Sequence, residues 1–243
     1  MTRIALLDGD VIAYRCSASA ENDPVDISLE RVDALIERII NEVGATGVEV
    51  YLSGDRNFRY DINPDYKANR KDKPRPRWLQ PTREHMVLGW NARIADNIEA
   101  DDEMGISQCT TDDDTVICTN DKDLLQIPGE HYNFVIEARH TISPLDGLRN
   151  FYIQMIMGDR SDNLFGYDGI ARTKVPKFLE PTLAQILDMD NEWDMYHFTK
   201  GLYHEHDRDS VYEMNAHCLY IHKKQGDKWH VPNENVIRSS DQD

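Results

Sequence analysis

Cysteine is scarce in this sequence, with four residues among 243 (Cys16, Cys109, Cys118 and Cys218) and no paired spacing between them. That pattern suggests neither a disulfide framework nor a thiolate zinc site, and it fits reduced thiols. Long apolar runs are missing too: none approaches the roughly 18 residues of a membrane span, and the first ten residues lack a signal-peptide pattern. The expectation is a soluble, cytoplasmic protein. Neither an internal repeat nor a low-complexity tract is found, and the length suits a single catalytic body with at most a small appended domain.

Positive charge is also in deficit, since 27 Lys and Arg face 44 Asp and Glu for a formal net charge of -17. A partner rich in phosphate normally calls for the opposite balance. The distribution changes that reading. Between Arg56 and Arg83 nine basic residues stand against Asp61, Asp65 and Asp72, so this window carries about +6 and the remainder about -23. A charged run is usually a solvated face, and the acidic remainder keeps a protein soluble; a functional role for the window needs support from elsewhere.

What is present is a series of short apolar runs, each followed by acids. Residues 4–7 read as a buried strand that delivers Asp8 and Asp10 into a turn. Ser28 predicts the cap of a helix reaching Val43, because Val32, Leu35, Ile36, Ile39, Ile40 and Val43 recur at helical spacing. A second strand over 48–52 precedes Asp55, and the strand-helix-strand order favours a parallel pair. Pro74, Pro76 and Pro81 resist a long helix over 71–81, which should be mobile without a ligand. Residues 83–98 then read as helical. A further helix opens at Glu99, residues 116–118 form a third strand ahead of Asp121 and Asp123, and 134–136 suggest a fourth. A helix over 148–157 ends at Gly158, before the turn-rich stretch holding Asp159 and Asp162. Beyond Leu187 helical patterning is weak, and the acidic tail from Ser239 is expected to fray. The implied fold class is α/β, with a central, mostly parallel sheet flanked by helices.

Ligands in open α/β sheets bind at the carboxyl ends of the strands, where this chain repeatedly places acids. The candidates are Asp8, Asp55, Glu99, Asp101, Asp102, Asp121, Asp123, Asp159 and Asp162. Singly, each has a plain explanation as a turn former, a cap or a first-turn charge. Gathered together they need a cation, since two like charges ~6 Å apart repel by roughly 3 kcal/mol at an effective dielectric near 20. With no His or Cys among them, the donor set favours magnesium, with manganese able to substitute, over zinc. Two such ions would serve phosphodiester hydrolysis. Lys67 and Arg70, three apart and able to share a helical face, are assigned to the scissile phosphate, and Tyr66 to stacking on a base.

Five stretches occur in order: Asp8-Gly-Asp10, Asn63-Pro-Asp-Tyr-Lys-Ala-Asn-Arg70, Glu99-Ala-Asp-Asp102, Thr119-Asn-Asp-Lys-Asp123 and Gly158-Asp-Arg-Ser-Asp-Asn163. Together, over residues 4–179, they resemble the flap endonuclease and 5′-3′ exonuclease family, bacteriophage members above all. No single stretch is specific, but five in family order are hard to reach by chance. The resemblance implies a PIN-like or Rossmann-like catalytic core over 1–147, with a short basic arch near 66–98. It also implies a helical region over 148–243 containing a helix-three-turn-helix near 158–180.

In residue terms, the resemblance implies Asp8, Asp55, Glu99 and Asp101 around a first metal and Asp121, Asp123, Asp159 and Asp162 around a second, with Asp102 beside them. It places Arg59, Tyr66, Lys71, Lys73, Gly169, Arg172, Thr173 and Lys174 against DNA, with a potassium ion (K+) at the helix-three-turn-helix. Ala171 stands where a second glycine is usual, and Leu164-Phe165 where Ile-Pro is common, which departs from the pattern for that ion. The interval from Arg70 to Glu99 is shorter than in members that thread a strand through an arch, favouring 5′ exonuclease activity over strict flap removal. The implied partner is DNA with a 5′ end, flap or gap, or an RNA-DNA hybrid, met by a monomer during phage-type replication or recombination. Two other readings share parts of the pattern. One is a DNA-binding accessory module that has lost cleavage, against which the nearly full set of acids argues; the other is a PIN-like ribonuclease, normally shorter and without the helix-three-turn-helix.

Overall fold

Branched apolar residues dominate the short runs of the first half, and such runs pair as strands buried on both faces. In the computed structural model, which describes residues 2–233, these runs form one sheet. The chain passes through β1 (Arg3–Asp8), α1 (Gly9–Ser19), α2 (Val25–Val43), β2 (Gly47–Leu52), α3 (Arg59–Ile62) and α4 (Leu79–Trp90). Then come β3 (Arg93–Ile94), α5 (Ala100–Thr110), β4 (Asp114–Cys118), β5 (Gly129–Asn133) and β6 (Ala138–Ile142). The remainder holds α6 (Pro144–Met157), β7 (Gly158–Asp159), β8 (Leu164–Phe165), α7 (Glu180–Asp188), α8 (Glu192–Glu205) and α9 (Asp209–Leu219). Two compact units result. The first takes the chain up to Phe58, Lys73–Ser143 and Ile221–Asp227; the second takes Arg59–Asp72, Pro144–Tyr220 and the chain from Lys228.

In the first unit the strands are ordered β3-β2-β1-β4-β5-β6, parallel throughout except for the β5-β6 hairpin. This is the mostly parallel α/β sheet that the strand-helix-strand order predicts. Alternation along β1 sends Ala5 and Leu7 into one core with Ile12, Ile36, Ile39 and Val50, and Leu6 into the other with Tyr51, Met104 and Ile117. β1 lies between β2 and β4, so strand order reverses there, and the crevice beyond such a reversal is where open α/β sheets hold ligands.

Several boundaries differ from the sequence reading for local reasons. Asp8 does not lead into a turn. It ends β1 and caps α1 directly, accepting from the Val11 N–H at 3.0 Å, a cap worth about 1 kcal/mol. Gly9 is required at this junction, since a Cβ there would lie 2.5 Å from the Tyr51 carbonyl. Ser28 is not the cap of α2. The helix starts at Val25 after Pro24, and the buried Ser28 hydroxyl pairs with that of Thr82 at 2.8 Å.

The helix expected over 83–98 begins earlier, at Leu79, because Pro81 falls in the first turn, where N–H groups have no intrahelical partner. It stops at Trp90 with Asn91 left-handed (φ 52°), and Arg93–Ile94 pair with Tyr51 and Leu52 as β3. The strand expected at 134–136 is a turn instead. The Asn133 side chain accepts from the Val135 and Ile136 N–H groups, Glu137 adopts φ 54°, and the chain folds back from β5 into β6.

The second unit is helical, its core built from Phe151, Tyr152, Met155, Ile156, Ile186, Tyr203 and Tyr212. Where the sequence patterning is weak, beyond Leu187, α8 and α9 form and pack through edge-to-face rings, including Tyr203 on Tyr212 at 5.0 Å. α6 starts at Pro144, a turn before the predicted 148. It ends at Gly158 (φ 65°), where a Cβ would come within 2.4 Å of the Gly166 nitrogen. No helix among the described residues is long and apolar enough to cross a membrane. The acidic tail from Ser239 lies outside the described residues.

Candidate active site

Parallel pairing sets Leu7 opposite Cys118, so the residues that follow β1 and β4 emerge side by side. Asp8 is 2% exposed there, with Oδ2 accepting the Thr119 hydroxyl at 2.7 Å. The same hydroxyl oxygen accepts the Asp121 N–H at 2.9 Å, and Asp121 Oδ1 accepts the Asp123 N–H at 3.0 Å. Asp8, Asp121 and Asp123 are thereby strung on one file of hydrogen bonds. Burial, joined by the charges of Asp10 and Asp121, pushes the Asp8 carboxyl up to about 7 despite its bonds to Thr119 and Val11.

Asp10 is a residue that the sequence candidates omitted. It pairs with Arg83 and accepts the Ser53 N–H at 2.9 Å, while Arg83 also donates to the Ser53 carbonyl. Its place two residues after Asp8 in the same Asp-Gly-Asp stretch was the available signal. Asp55 is exposed in the bend that follows β2. Glu99 is the N-cap of α5 and Asp101 lies in its first turn, and the Ala100 N–H donates to Ser53 Oγ at 3.0 Å, which ties that turn to the end of β2.

Asp102, expected beside the metals, lies in the interior. It is fully buried, Oδ2 accepting the Glu99 N–H at 3.0 Å in a capping box and Oδ1 accepting the His222 N–H at 3.1 Å. These bonds hold the start of α5 from the interior of the first unit.

In the second unit, Asp159 folds the loop after α6, its Oδ1 accepting the Ser161 N–H at 2.6 Å and the Asp162 N–H at 3.1 Å. Asp162 receives the Tyr66 hydroxyl at 2.7 Å on Oδ2 and Arg70 Nη2 at 2.7 Å on Oδ1, with Lys67 Nζ at 3.7 Å. Backbone bonds complete the join: the Lys67 N–H donates to the Asp162 carbonyl at 2.9 Å, and Asn69 and Arg70 donate to the carbonyls of Arg160 and Ser161. Two motifs more than 90 positions apart are thus laced together. Lys67 and Arg70 reach one carboxylate, but not from a shared helical face. Lys67 is left-handed (φ 54°) and precedes the single 3-10 turn of Ala68–Arg70.

Three residues assigned to DNA face inward instead. Tyr66 is 2% exposed, its ring against Tyr60 and its hydroxyl on Asp162, so it offers no free face for a base. Arg59 is 1% exposed and donates to the carbonyls of Cys218 and Tyr220, each at 2.8 Å. Arg172 is buried against Asp168. Desolvation acts to raise the Asp168 carboxyl, but the Arg172 hydrogen bond and charge outweigh it and hold that carboxyl below the usual range. Lys71, Lys73, Thr173 and Lys174 are exposed, and Gly169 turns the chain with φ 76°. Thr173, Lys174, Arg160 and Phe178 line an open cleft of about 400 Å³.

Among the described residues, no three carboxylate, imidazole or thiol side chains are gathered closely enough to hold a metal ion. Asp8, Asp121 and Asp123 stand instead on one hydrogen-bonded file, all-oxygen in donor type and, around Asp8, mutually repulsive. That chemistry fits a hard divalent cation.

Residues 3–150 match the family model described as 5′-3′ exonuclease, N-terminal resolvase-like domain. The chain is 27% identical over 197 residues to DNA polymerase I of Chloroflexus aurantiacus, a match covering 69% of this chain and 21% of that protein. It therefore spans about a fifth of the length of that relative. A 5′-3′ exonuclease of Buchnera aphidicola is 24% identical over 212 residues, covering 77% of this chain and 73% of that one. Flap endonuclease Xni of Vibrio vulnificus is 32% identical over 99 residues, covering 37% and 38%. In three dimensions, a bacteriophage T5 flap endonuclease in a pseudo-enzyme-product complex with DNA and metal ions aligns with TM-score 0.67. The identity is 15%, over 89% of each chain. The T5 5′-exonuclease with divalent zinc ions bound aligns with TM-score 0.59 and 16% identity, over 89% of this chain and 93% of that one. At such identities the structures share the fold, and the match of the family model over more than half the sequence shows that the chain belongs to the 5′-3′ exonuclease family.

Proposed function

We propose that this protein is a divalent-metal-dependent 5′-3′ exonuclease acting on DNA, with flap endonuclease activity on branched 5′ ends. The observation that carries the reading is the file of Asp8, Asp121 and Asp123 at the carboxyl edge of β1 and β4, in a chain of this family. The metal would be held by acids of the first unit, Asp8, Asp55, Glu99, Asp101, Asp121 and Asp123, whereas Asp162 of the second unit is already met by Arg70 and Lys67. Bound divalent cations, magnesium or manganese, supply Lewis acidity for in-line displacement at phosphorus.

The protein's own groups supply the rest. Lys67, as a point charge, and Arg70, as a fork, take the scissile phosphate, and Asp162 sets their positions beforehand. Lys71 and Lys73 follow the backbone of the substrate strand. The turns around Gly169, Thr173 and Lys174 meet duplex phosphates as the helix-three-turn-helix of a C-terminal region over 148–243, with potassium as its ion. The eight residues 71–78 form no helix, and Trp78 is pinned by its indole N–H on the Asp23 carbonyl at 2.9 Å. So short a span favours digestion from a 5′ terminus over threading of a long flap. The protein acts as a monomer in the cytoplasm, and the RNA strand of an RNA-DNA hybrid is a second substrate.

The test is digestion of labelled duplex, 5′-flap and RNA-DNA hybrid substrates with and without magnesium, following product lengths. Short 5′ products that require the metal are expected. Absence of cleavage on every substrate would sink the proposal.

A further inference from the structure

The Thr119 hydroxyl sits at the centre of the file at the end of β4. It is buried, and its backbone N–H is tied to the Tyr132 carbonyl at 3.1 Å. A threonine hydroxyl has one proton to give. Because Oγ1 accepts the Asp121 N–H at 2.9 Å, that proton is directed to Asp8 Oδ2 at 2.7 Å. Asp8 Oδ1 is engaged by the Val11 N–H at 3.0 Å. One bond on each oxygen fixes the carboxylate plane and leaves a lone pair on each free to coordinate. The branched Cβ of threonine further restricts the rotor that carries the hydroxyl.

We propose that Thr119 is a positioning residue, whose hydroxyl holds the Asp8 carboxylate and the Asp121 backbone in the relative orientation in which their carboxylates receive a divalent cation. This rests on the functional reading above. The hydroxyl makes no contact with substrate in this role. It acts through Asp8 and Asp121, as groups outside a metal's ligand set orient the ligands themselves.

The test compares the parent with Thr119→Val, which keeps the side-chain shape without the hydroxyl, and Thr119→Ser, which keeps the hydroxyl without the branch. Manganese binding is measured by calorimetry and by the metal-dependent rise in melting temperature, alongside the magnesium dependence of cleavage. Thr119→Val is expected to weaken metal binding about 10- to 100-fold, with cleavage recovering at high magnesium, while Thr119→Ser stays close to the parent. A hydroxyl that merely satisfies a buried group would lower the melting temperature equally with and without metal and leave the metal midpoint unmoved, which overturns the proposal. If Thr119→Val does not fold, Thr119→Ala takes its place against Thr119→Ser, and equal metal midpoints for that pair overturn it likewise. A parent protein that binds no divalent cation overturns the functional reading and this proposal together. A parent that binds metal, with a Val variant that binds equally well, overturns this proposal alone.

Discussion

Asp8 in the first unit and Asp162 in the second are both buried aspartates, yet their charges are met in opposite ways. Asp8 receives a hydroxyl and an amide, and the charges that join burial in raising its carboxyl are those of two other acids, Asp10 and Asp121. Asp162 receives Arg70, Lys67 and the Tyr66 hydroxyl. A buried carboxylate given only neutral donors remains costly in its charged form, whereas one beside two cations is compensated within the chain. Burial of an acid therefore does not identify its role. What surrounds it tells whether the protein has already supplied the counter-charge or leaves it to a ligand.

The largest effect is expected from Asp121→Asn, which removes one of the acidic charges acting on Asp8. Magnesium-dependent cleavage should be abolished while duplex binding persists; unchanged turnover would reject the assignment. Next in size is Lys67→Ala on the compensated side. Fixed positive charge matters most as the phosphate gains negative charge, so kcat should fall roughly 100- to 1,000-fold with KM little changed. An equal loss in both would reduce Lys67 to a binding residue.

Stability sharpens the contrast further. Magnesium at 100 times its dissociation constant should stabilise the protein by about 2.7 kcal/mol, read as a higher melting temperature. No shift would count against metal at the first unit's acids. Asp162→Asn should cost roughly 1 kcal/mol, because Arg70 is half exposed and solvent screens its pairing. An unchanged melting temperature would show that the cations of the second unit are held by other bonds. The smallest effect belongs to Asp168, whose carboxyl Arg172 holds below the ordinary range. A depressed carboxyl contributes stability above its unfolded value, ~3.9, and loses it as pH falls through the folded value. The melting temperatures of parent and Asp168→Asn should therefore differ most near neutrality and converge in acid. A gap that is constant with pH would contradict the ion pair.

The apolar runs of β1, β2 and β4 were legible in the sequence because they are local signals, whereas β3 and β5, short or polar and recruited by their neighbours, were not. The sequence also determined the order in which acids follow β1, β2 and β4. The same local signals misled at Ser28, at 83–98 and at 134–136, where a cap, a helix end and a strand were decided by Thr82, Asn91 and the Asn133 side chain. α8 and α9 were weak in the sequence because their stability comes from aromatic packing between elements, which no single window displays.

Which polar side chains are spent inside the protein was set by contacts between distant segments. Tyr66, Arg59, Arg172 and Asp102 look in the sequence like site residues, and each is bound inward. For Tyr66, Arg59 and Asp102 the partner lies 96 or more positions away. Asp10 is spent in the same way, on Arg83, 73 positions distant. A side chain's chemistry is written at its own position, but whether that chemistry stays available depends on hydrogen-bond partners that only folding brings within about 3 Å.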